Sequence, residues 1–340
     1  MEVFIPYENR KINVETYLLD VLQFHLESTP YWQRNLTKRK IDELVSSDFK
    51  ETVYNLSRLE VDQDLLRTRW QEFRPRNLKN TRLSFSSGTT GPQKYCLWSE
   101  DYIEKQANYL AYYLSKRGIK LKNAIIQGPT SIYKEVNEKL VNKLGGDPYF
   151  VGLRVEGLKP IIEDAAKKGE KELIKVLKEY FAIEIQKTKR LLEYDQDINF
   201  MRSAWMMLAF FEEFYGDKQN IKIVMTSGLG YSPQNHETLK QKFERVIASY
   251  GYFAFGDALG KYVNGNLDYY PAFPYAIFTV IKEDGEIAKY GEEGHPLFII
   301  ARKDLLLILK ENNETAKRVG PTEEFPWDGI RNPKRKIEVS

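Results

Sequence analysis

The segment Ser84-Phe85-Ser86-Ser87-Gly88-Thr89-Thr90-Gly91-Pro92-Gln93-Lys94 constrains this 340-residue chain more than any other. Thr81–Phe85 reads as a β-strand, and it delivers a loop of two glycines and four hydroxyl side chains, Ser86-Ser87-Gly88-Thr89-Thr90-Gly91. Glycine lets backbone N–H groups approach an anion closely, hydroxyls donate to its oxygens, and Lys94 supplies a neutralising charge. The spacing is not Gly-x-x-x-x-Gly-Lys, so the loop need not lead into a helix as a P-loop does. On residue types alone it reads both as a grip for a phosphate-like anion and as a plain polar turn.

The surrounding pattern alternates strands and helices. Ser99 is an N-cap with Glu100 and Asp101 in the first helical turn, and Lys116, Arg117 and Gly118 close that helix. Asn123–Gln127 reads as a buried strand, 128–131 as a turn, about 132–144 as a helix and Tyr149–Leu153 as another strand. Lys222–Thr226 is a further strand, Ser227-Gly228-Leu229-Gly230 a tight turn, and Ser232-Pro233 starts a helix predicted to run to about Ala248. Residues 14–27 are a helix by their apolar spacing, and 160–194 a long charged helical region interrupted by Gly169. Ser203–Phe214 reads as one helix buried nearly all round. After Phe255 the chain turns strand-rich, through Tyr275–Ile281, an Asp284-Gly285 hairpin, Leu297–Arg302 and Leu305–Leu309.

These elements predict an α/β fold of mixed sheets with covering helices and a β-rich subdomain near the C-terminus. The expected divisions are a helical region over 1–80, an α/β core over 81–255, a β-rich subdomain over 256–331 and a basic tail over 332–340. The only cysteine, Cys96, excludes an intrachain disulfide, and three scattered histidines assemble no zinc spacing. The charge balance, 51 basic against 48 acidic residues, gives no reason to expect nucleic acid as a partner. No apolar run of about 18 residues suggests a membrane span, and the N-terminus is unlike a signal peptide, so a soluble cytoplasmic protein is expected.

The run SFSSGTTGPQK resembles the phosphate-loop signature of the adenylate-forming superfamily, and within it the chain is most similar to phenylacetate-coenzyme A ligase and the acyl-protein synthetases. Thr29-Pro30-Tyr31-Trp32 resembles that group's early Pro-Phe-Tyr segment, and Ser227-Gly228-Leu229-Gly230-Tyr231-Ser232 stands where it has an adenine-binding turn. Phe255-Gly256 stands for its Tyr-Gly, and Arg302-Lys303-Asp304-Leu305 resembles Thr-Arg-Asp-Leu. The resemblance implies the large N-terminal domain of such an enzyme. It also implies activation of an aryl or other acyl carboxylic acid by ATP with Mg²⁺, and possible transfer to a thiol such as coenzyme A. It assigns the nucleotide to Ser86, Ser87, Gly88, Thr89, Thr90, Gly91 and Lys94, with Thr89 and Lys94 in the chemistry, and to Gly228, Leu229, Gly230, Phe255 and Gly256. Asp304 is the expected ribose ligand and Arg331 the match for a hinge arginine. Gln127 and Gly128 fall where relatives line the acyl pocket, yet a strand end and a turn need no function; Trp205, in the apolar helical run, is a pocket candidate for which a core role is the plainer reading.

Two departures accompany the resemblance. The magnesium-linked glutamate three residues after Gly has no counterpart in Phe255-Gly256-Asp257-Ala258-Leu259, which leaves Asp257 as either a shifted metal ligand or a structural cap. The family's C-terminal lid of about 100 residues has no counterpart either. Three readings stay open: slow activation by this chain alone, a separately encoded lid partner or acyl-acceptor protein, and a non-catalytic nucleotide- or acyl-adenylate-binding subunit. A homodimer is compatible with all three.

Overall fold

The computed structural model describes residues 1–86, 92–129, 132–153, 158–217, 220–228 and 230–335. In chain order its strands are β1 (Glu2–Ile5), β2 (Arg10–Asn13), β3 (Thr81–Phe85), β4 (Tyr95–Ser99), β5 (Asn123–Gly128), β6 (Asp147–Gly152), β7 (Ile198–Ala204) and β8 (Ile223–Ser227). They continue as β9 (Arg245–Tyr252), β10 (Gly256–Val263), β11 (Asn266–Tyr270), β12 (Ala276–Ile281), β13 (Glu293–Arg302), β14 (Leu305–Lys310), β15 (Glu314–Val319) and β16 (Gly329–Arg335). The expected α/β class is the observed one.

The chain divides into two compact units, and the boundaries are not those expected at 81 and 256. One unit gathers Met1–Phe85, Lys94–Tyr102 and Tyr250–Ser340; the other holds Ser86–Gln93 and Ile103–Ser249. The N-terminal helices belong with the β-rich part because they pack there: the Trp32 indole donates to the Leu306 carbonyl at 2.9 Å, and Val61 N–H to Ile308 O at 2.8 Å.

In the unit containing Ile103–Ser249, strands run parallel in the order β6-β5-β7-β8-β9. Helices Ile132–Lys143, Ala182–Tyr194 and Pro233–Lys242 connect them, as parallel pairing requires. Ser232 caps the last of these through a capping box with Asn235. That helix stops at Lys242 rather than Ala248: Phe243 is extended, and β-branched Val246 and Ile247 enter β9. Ser203–Phe214 is likewise not one helix. Ser203 and Ala204 finish β7, and helices Trp205–Ala209 and Phe211–Tyr215 follow, separated at Phe210. The 160–194 region breaks into three helices at Gly169, whose φ of 108° suits glycine, and at Phe181.

The unit containing Tyr250–Ser340 is antiparallel. Strands follow the order β12-β13-β15-β16-β11-β10, with β14 also on β13, and two hairpins, β1–β2 and β3–β4, stand apart from that sheet. Apolar β12, β13 and β14 are buried along nearly their whole length, and Phe255, Phe278 and Phe298 form an aromatic core with rings 4.8 to 5.1 Å apart.

Candidate nucleotide site

Strands β3 and β4 pair in register from Thr81↔Ser99 to Phe85↔Tyr95, so they form the stem of the Ser/Thr/Gly loop. Ser87, Gly88, Thr89, Thr90 and Gly91 lie outside the described residues; Ser86 is half-buried at the end of the stem. The Phe253 carbonyl anchors that stem. It accepts from Ser84 Oγ at 2.8 Å, Trp98 Nε1 at 3.0 Å and, weakly, Cys96 Sγ at 3.4 Å. Cys96 is buried in the stem, and that burial pushes its thiol up to about 12.

Lys94 sits one residue before β4 with its side chain only 15% exposed. Its ammonium donates to Gln63 Oε1 and lies 3.9 Å from Glu311 Oε1. Glu311 Oε1 also accepts from Gln63 Nε2 at 3.1 Å and from the Tyr252 hydroxyl. Burial draws the Lys94 ammonium below the usual lysine range, and Glu311 opposes that shift. Sequence reasoning missed Gln63, Tyr252 and Glu311. They stand 31, 158 and 217 positions from Lys94, and nothing in a local pattern ties a charged residue after the apolar run of β14 to a lysine before β4.

Asp304 is 3% exposed, and both its oxygens have partners within the protein. Oδ1 accepts from Arg302 Nε at 2.9 Å and Oδ2 from the Ser99 backbone N–H at 2.5 Å. Arg302, equally buried, donates to Ala254 O at 3.0 Å and Leu97 O at 3.3 Å and lies 3.6 Å over the Tyr102 ring. His25 caps the same group, with its Nε2 2.6 Å from Arg302 O and its Nδ1 2.7 Å from Thr29 Oγ1. The segment that resembles a ribose-binding motif is therefore the hub joining the β13–β14 turn to β4.

Phe255 belongs to the aromatic core rather than to an open surface. Gly256 opens β10 with φ of 84°, a left-handed value that favours glycine, and Asp257 follows it, buried. A literal Tyr-Gly pair also occurs at Tyr250-Gly251, where the Tyr250 hydroxyl donates to Glu314 Oε2 at 2.7 Å; the residue three beyond Gly251 is Ala254, so this register restores no glutamate either. Arg331, on β16, stands directly opposite Asp268 on β11 and grips it through two bonds of 2.6 and 2.8 Å. Among the described residues no three His, Cys, Asp or Glu side chains gather as a metal cage. Mg²⁺ seldom needs one, since it usually keeps several waters and binds through one or two carboxylates and substrate phosphates.

In the other unit, Gly228 and Gly230 have φ of 123° and 72°, values that glycine adopts freely, while Leu229 lies outside the described residues. Gln127 is fully buried in a closed polar network. Its Nε2 donates to Thr188 Oγ1 at 2.7 Å and Tyr215 Oη at 2.9 Å, and its Oε1 accepts from Ser203 Oγ at 2.6 Å. A Cβ on Gly128 would lie 2.2 Å from the Tyr133 ring. Trp205 and Met206 pack half-buried against this unit's core, and Met207 is inside it. The network and the ring contact give Gln127 and Gly128 packing roles of their own.

The α/β class and the succession of a parallel-stranded part and an antiparallel β-rich part agree with a fold found among solved ligase structures. No protein-family profile and no curated protein matches the sequence. Solved structures of 2-hydroxyisobutyryl-CoA ligase share the fold. The form in complex with 2-HIB-AMP and CoA in the thioesterification state gives a TM-score of 0.63 at 13% identity, covering 96% of this chain and 68% of that one. The postadenylation form with R3-HIB-AMP gives 0.64 at 11%, covering 94% and 66%. An open form with 2-HIB-AMP and CoA gives 0.64 at 12%, covering 94% and 72%. At these identities the likeness is one of fold, and the chain spans about two thirds of the length of those ligases. No helix among the described residues is long and apolar enough to cross a membrane.

Proposed function

We propose that this chain binds ATP and activates a small-molecule carboxylic acid as an acyl-adenylate, with coenzyme A or a protein thiol as the later acceptor. The observation that carries the reading is the conjunction of the loop Ser86–Lys94, on a β3–β4 stem, with a fold matched over 94–96% of the chain by ligases bound to acyl-AMP. The substrate carboxylate attacks the α-phosphorus and pyrophosphate leaves. Charge that builds on the phosphates meets the loop's N–H and hydroxyl donors and the Lys94 ammonium. Mg²⁺ would arrive with the triphosphate, with Asp257 as the nearest match to the expected ligand, and supplies charge neutralisation. Gly228 and Gly230 would let the backbone pass close to the adenine.

A second reading is favoured by Gly256-Asp257-Ala258-Leu259, which carries no glutamate three residues after the glycine: a non-catalytic subunit that binds nucleotide or acyl-adenylate. Exchange of labelled pyrophosphate into ATP, with Mg²⁺ and a panel of aryl and fatty acids, separates the two. Acid-dependent exchange is expected, and Lys94→Ala should slow it about tenfold to a hundredfold, the equivalent of about 1.5–3 kcal/mol for one charge-assisted contact. Measurable ATP binding without exchange for any acid would favour the binding subunit, and no nucleotide binding at all would sink both readings.

A further inference from the structure

We propose that Glu311 and Gln63 are positioning residues for Lys94, three positions after Gly91 in the sequence: they hold its ammonium charged and tethered, ready for an incoming triphosphate. The proposal rests on the reading of residues 86–94 as a phosphate loop, and adds how its cation is maintained.

A lysine this enclosed has lost much of its hydration, and an uncompensated ammonium in such a place tends to give up its proton. The structure supplies the compensation from two directions. Gln63 offers Oε1 to the ammonium, and its amide is fixed in that sense because Nε2 donates both to Lys310 O at 2.8 Å and to Glu311 Oε1 at 3.1 Å. Glu311, 3.9 Å from the ammonium, lies beyond hydrogen-bond reach and acts through its charge.

The Glu311 side is prebuilt. Glu311 N–H donates to Pro296 O at 2.9 Å and Glu314 N–H to Glu311 O at 3.1 Å. His295 Nδ1 lies 3.2 Å from Glu311 O and 3.0 Å from Glu314 O, while its Nε2 meets Glu283 Oε1 at 2.9 Å. The Tyr252 hydroxyl donates to Glu311, so one acceptor oxygen gathers a tyrosine and a glutamine and faces a lysine. Among the described residues, Arg67 and Arg335 also act on Lys94 and disfavour its proton, while Glu314 favours it. Glu314 is itself held to Tyr250 and, at 3.6 Å, to Arg335.

The test follows the charge of Lys94 directly. The full chain is labelled with an amine-reactive ester across a pH series, and the rate at Lys94 is read by mass spectrometry against exposed Lys120 as internal control. Only the uncharged amine reacts, so the midpoint of the rate profile reports the ammonium. Glu311→Gln should move the Lys94 midpoint down by about one pH unit or more, since an opposite charge within about 4–6 Å shifts such a group by about 1–3 units. Glu311→Asp, which keeps the charge, should recover most of that shift. Gln63→Leu should move the midpoint in the same direction, and serves as the second probe should Glu311→Gln unfold. Lys120 should not move in any variant. Unchanged Lys94 midpoints in folded Glu311→Gln or Gln63→Leu would overturn the proposal. Added MgATP separates it from the reading beneath it. A midpoint shift without protection of Lys94 by MgATP would refute the phosphate role and leave the tether. Protection without a shift would refute the tether and leave the phosphate role.

Discussion

Replacing Asp304 by Ala distinguishes a ligand-binding carboxylate from a structural one. The change removes the acceptor for Arg302 Nε at 2.9 Å and for the Ser99 N–H at 2.5 Å, and leaves a guanidinium that is 3% exposed without its carboxylate. Breaking one side of a buried ion pair costs about 3–5 kcal/mol, because the surviving charge stays desolvated. Arg302 keeps its bonds to Ala254 O and Leu97 O and its place over Tyr102, which favours the lower end, about 3 kcal/mol. Arg302→Met with Asp304→Ala should lose less than Asp304→Ala alone, since no buried charge is then stranded. Urea unfolding followed by tryptophan fluorescence measures both, read through the midpoint at constant slope. A loss below about 1 kcal/mol for Asp304→Ala, together with a weaker affinity for ATP, would refute the structural assignment and restore the ribose role. A large loss of stability with unchanged nucleotide affinity in the folded fraction would confirm the hub.

Two further predictions concern buried groups. Burial lowers His25 to about 4, below the 6.5 of an unfolded histidine, so the unfolded chain binds the extra proton between those values. The stability held by neutral His25 is therefore complete above about pH 6.5 and is lost as pH falls towards 4, by up to about 3 kcal/mol on the order-of-magnitude scale of about 1.4 kcal/mol per pH unit. Urea midpoints at pH 7 and pH 5 should differ more for the parent than for His25→Gln; equal differences would count against this role. Gly128→Ala would set a Cβ 2.2 Å from Tyr133 Cε1, so it should destabilise by about 1–3 kcal/mol, with the loss relieved by Tyr133→Ala in the same chain. Thermal unfolding checks the pair, and a Gly128→Ala variant as stable as the parent would refute the contact.

Much of the unit built on parallel strands could be read from sequence, because its signals are local. Glu100–Lys116 follows from its acidic first turn and basic last turn, and Pro233–Lys242 from a serine cap with proline behind it. The errors arose where local signals compete. Phe243–Tyr252 continues an apolar pattern that suits a helix, and only pairing of Ile223–Thr226 with Arg245–Ala248 makes it a strand. Ser203 reads with the helical residues after it, yet its hydroxyl is spent on Gln127, 76 positions away. The β-rich unit is only half legible because β10, β11, β15 and β16 are mixed in polarity, and Lys261, Asp268, Lys317 and Arg331 find their places only across the ladder.

The loop and the groups around it differ in the same way. Ser86–Gly91 sets two glycines and four hydroxyl side chains in six consecutive residues, so its resemblance to a phosphate loop is visible without a structure. Lys94 carries the expected charge, but what keeps a charge there comes from Gln63 and Glu311, on opposite ends of the chain. Arg302-Lys303-Asp304-Leu305 shows the converse. It begins at the last residue of the long strand β13, and the turn it makes carries Asp304 into contact with β4. Burial then decides what the carboxylate does there: with an arginine on one oxygen and a backbone amide on the other, its first task is to fasten the stem on which Lys94 is carried. A motif thus specifies position in the fold before it specifies a role. Asp304 is bonded on both oxygens, so burial sets what it does, while Lys94 stands 3.9 Å from the Glu311 carboxylate.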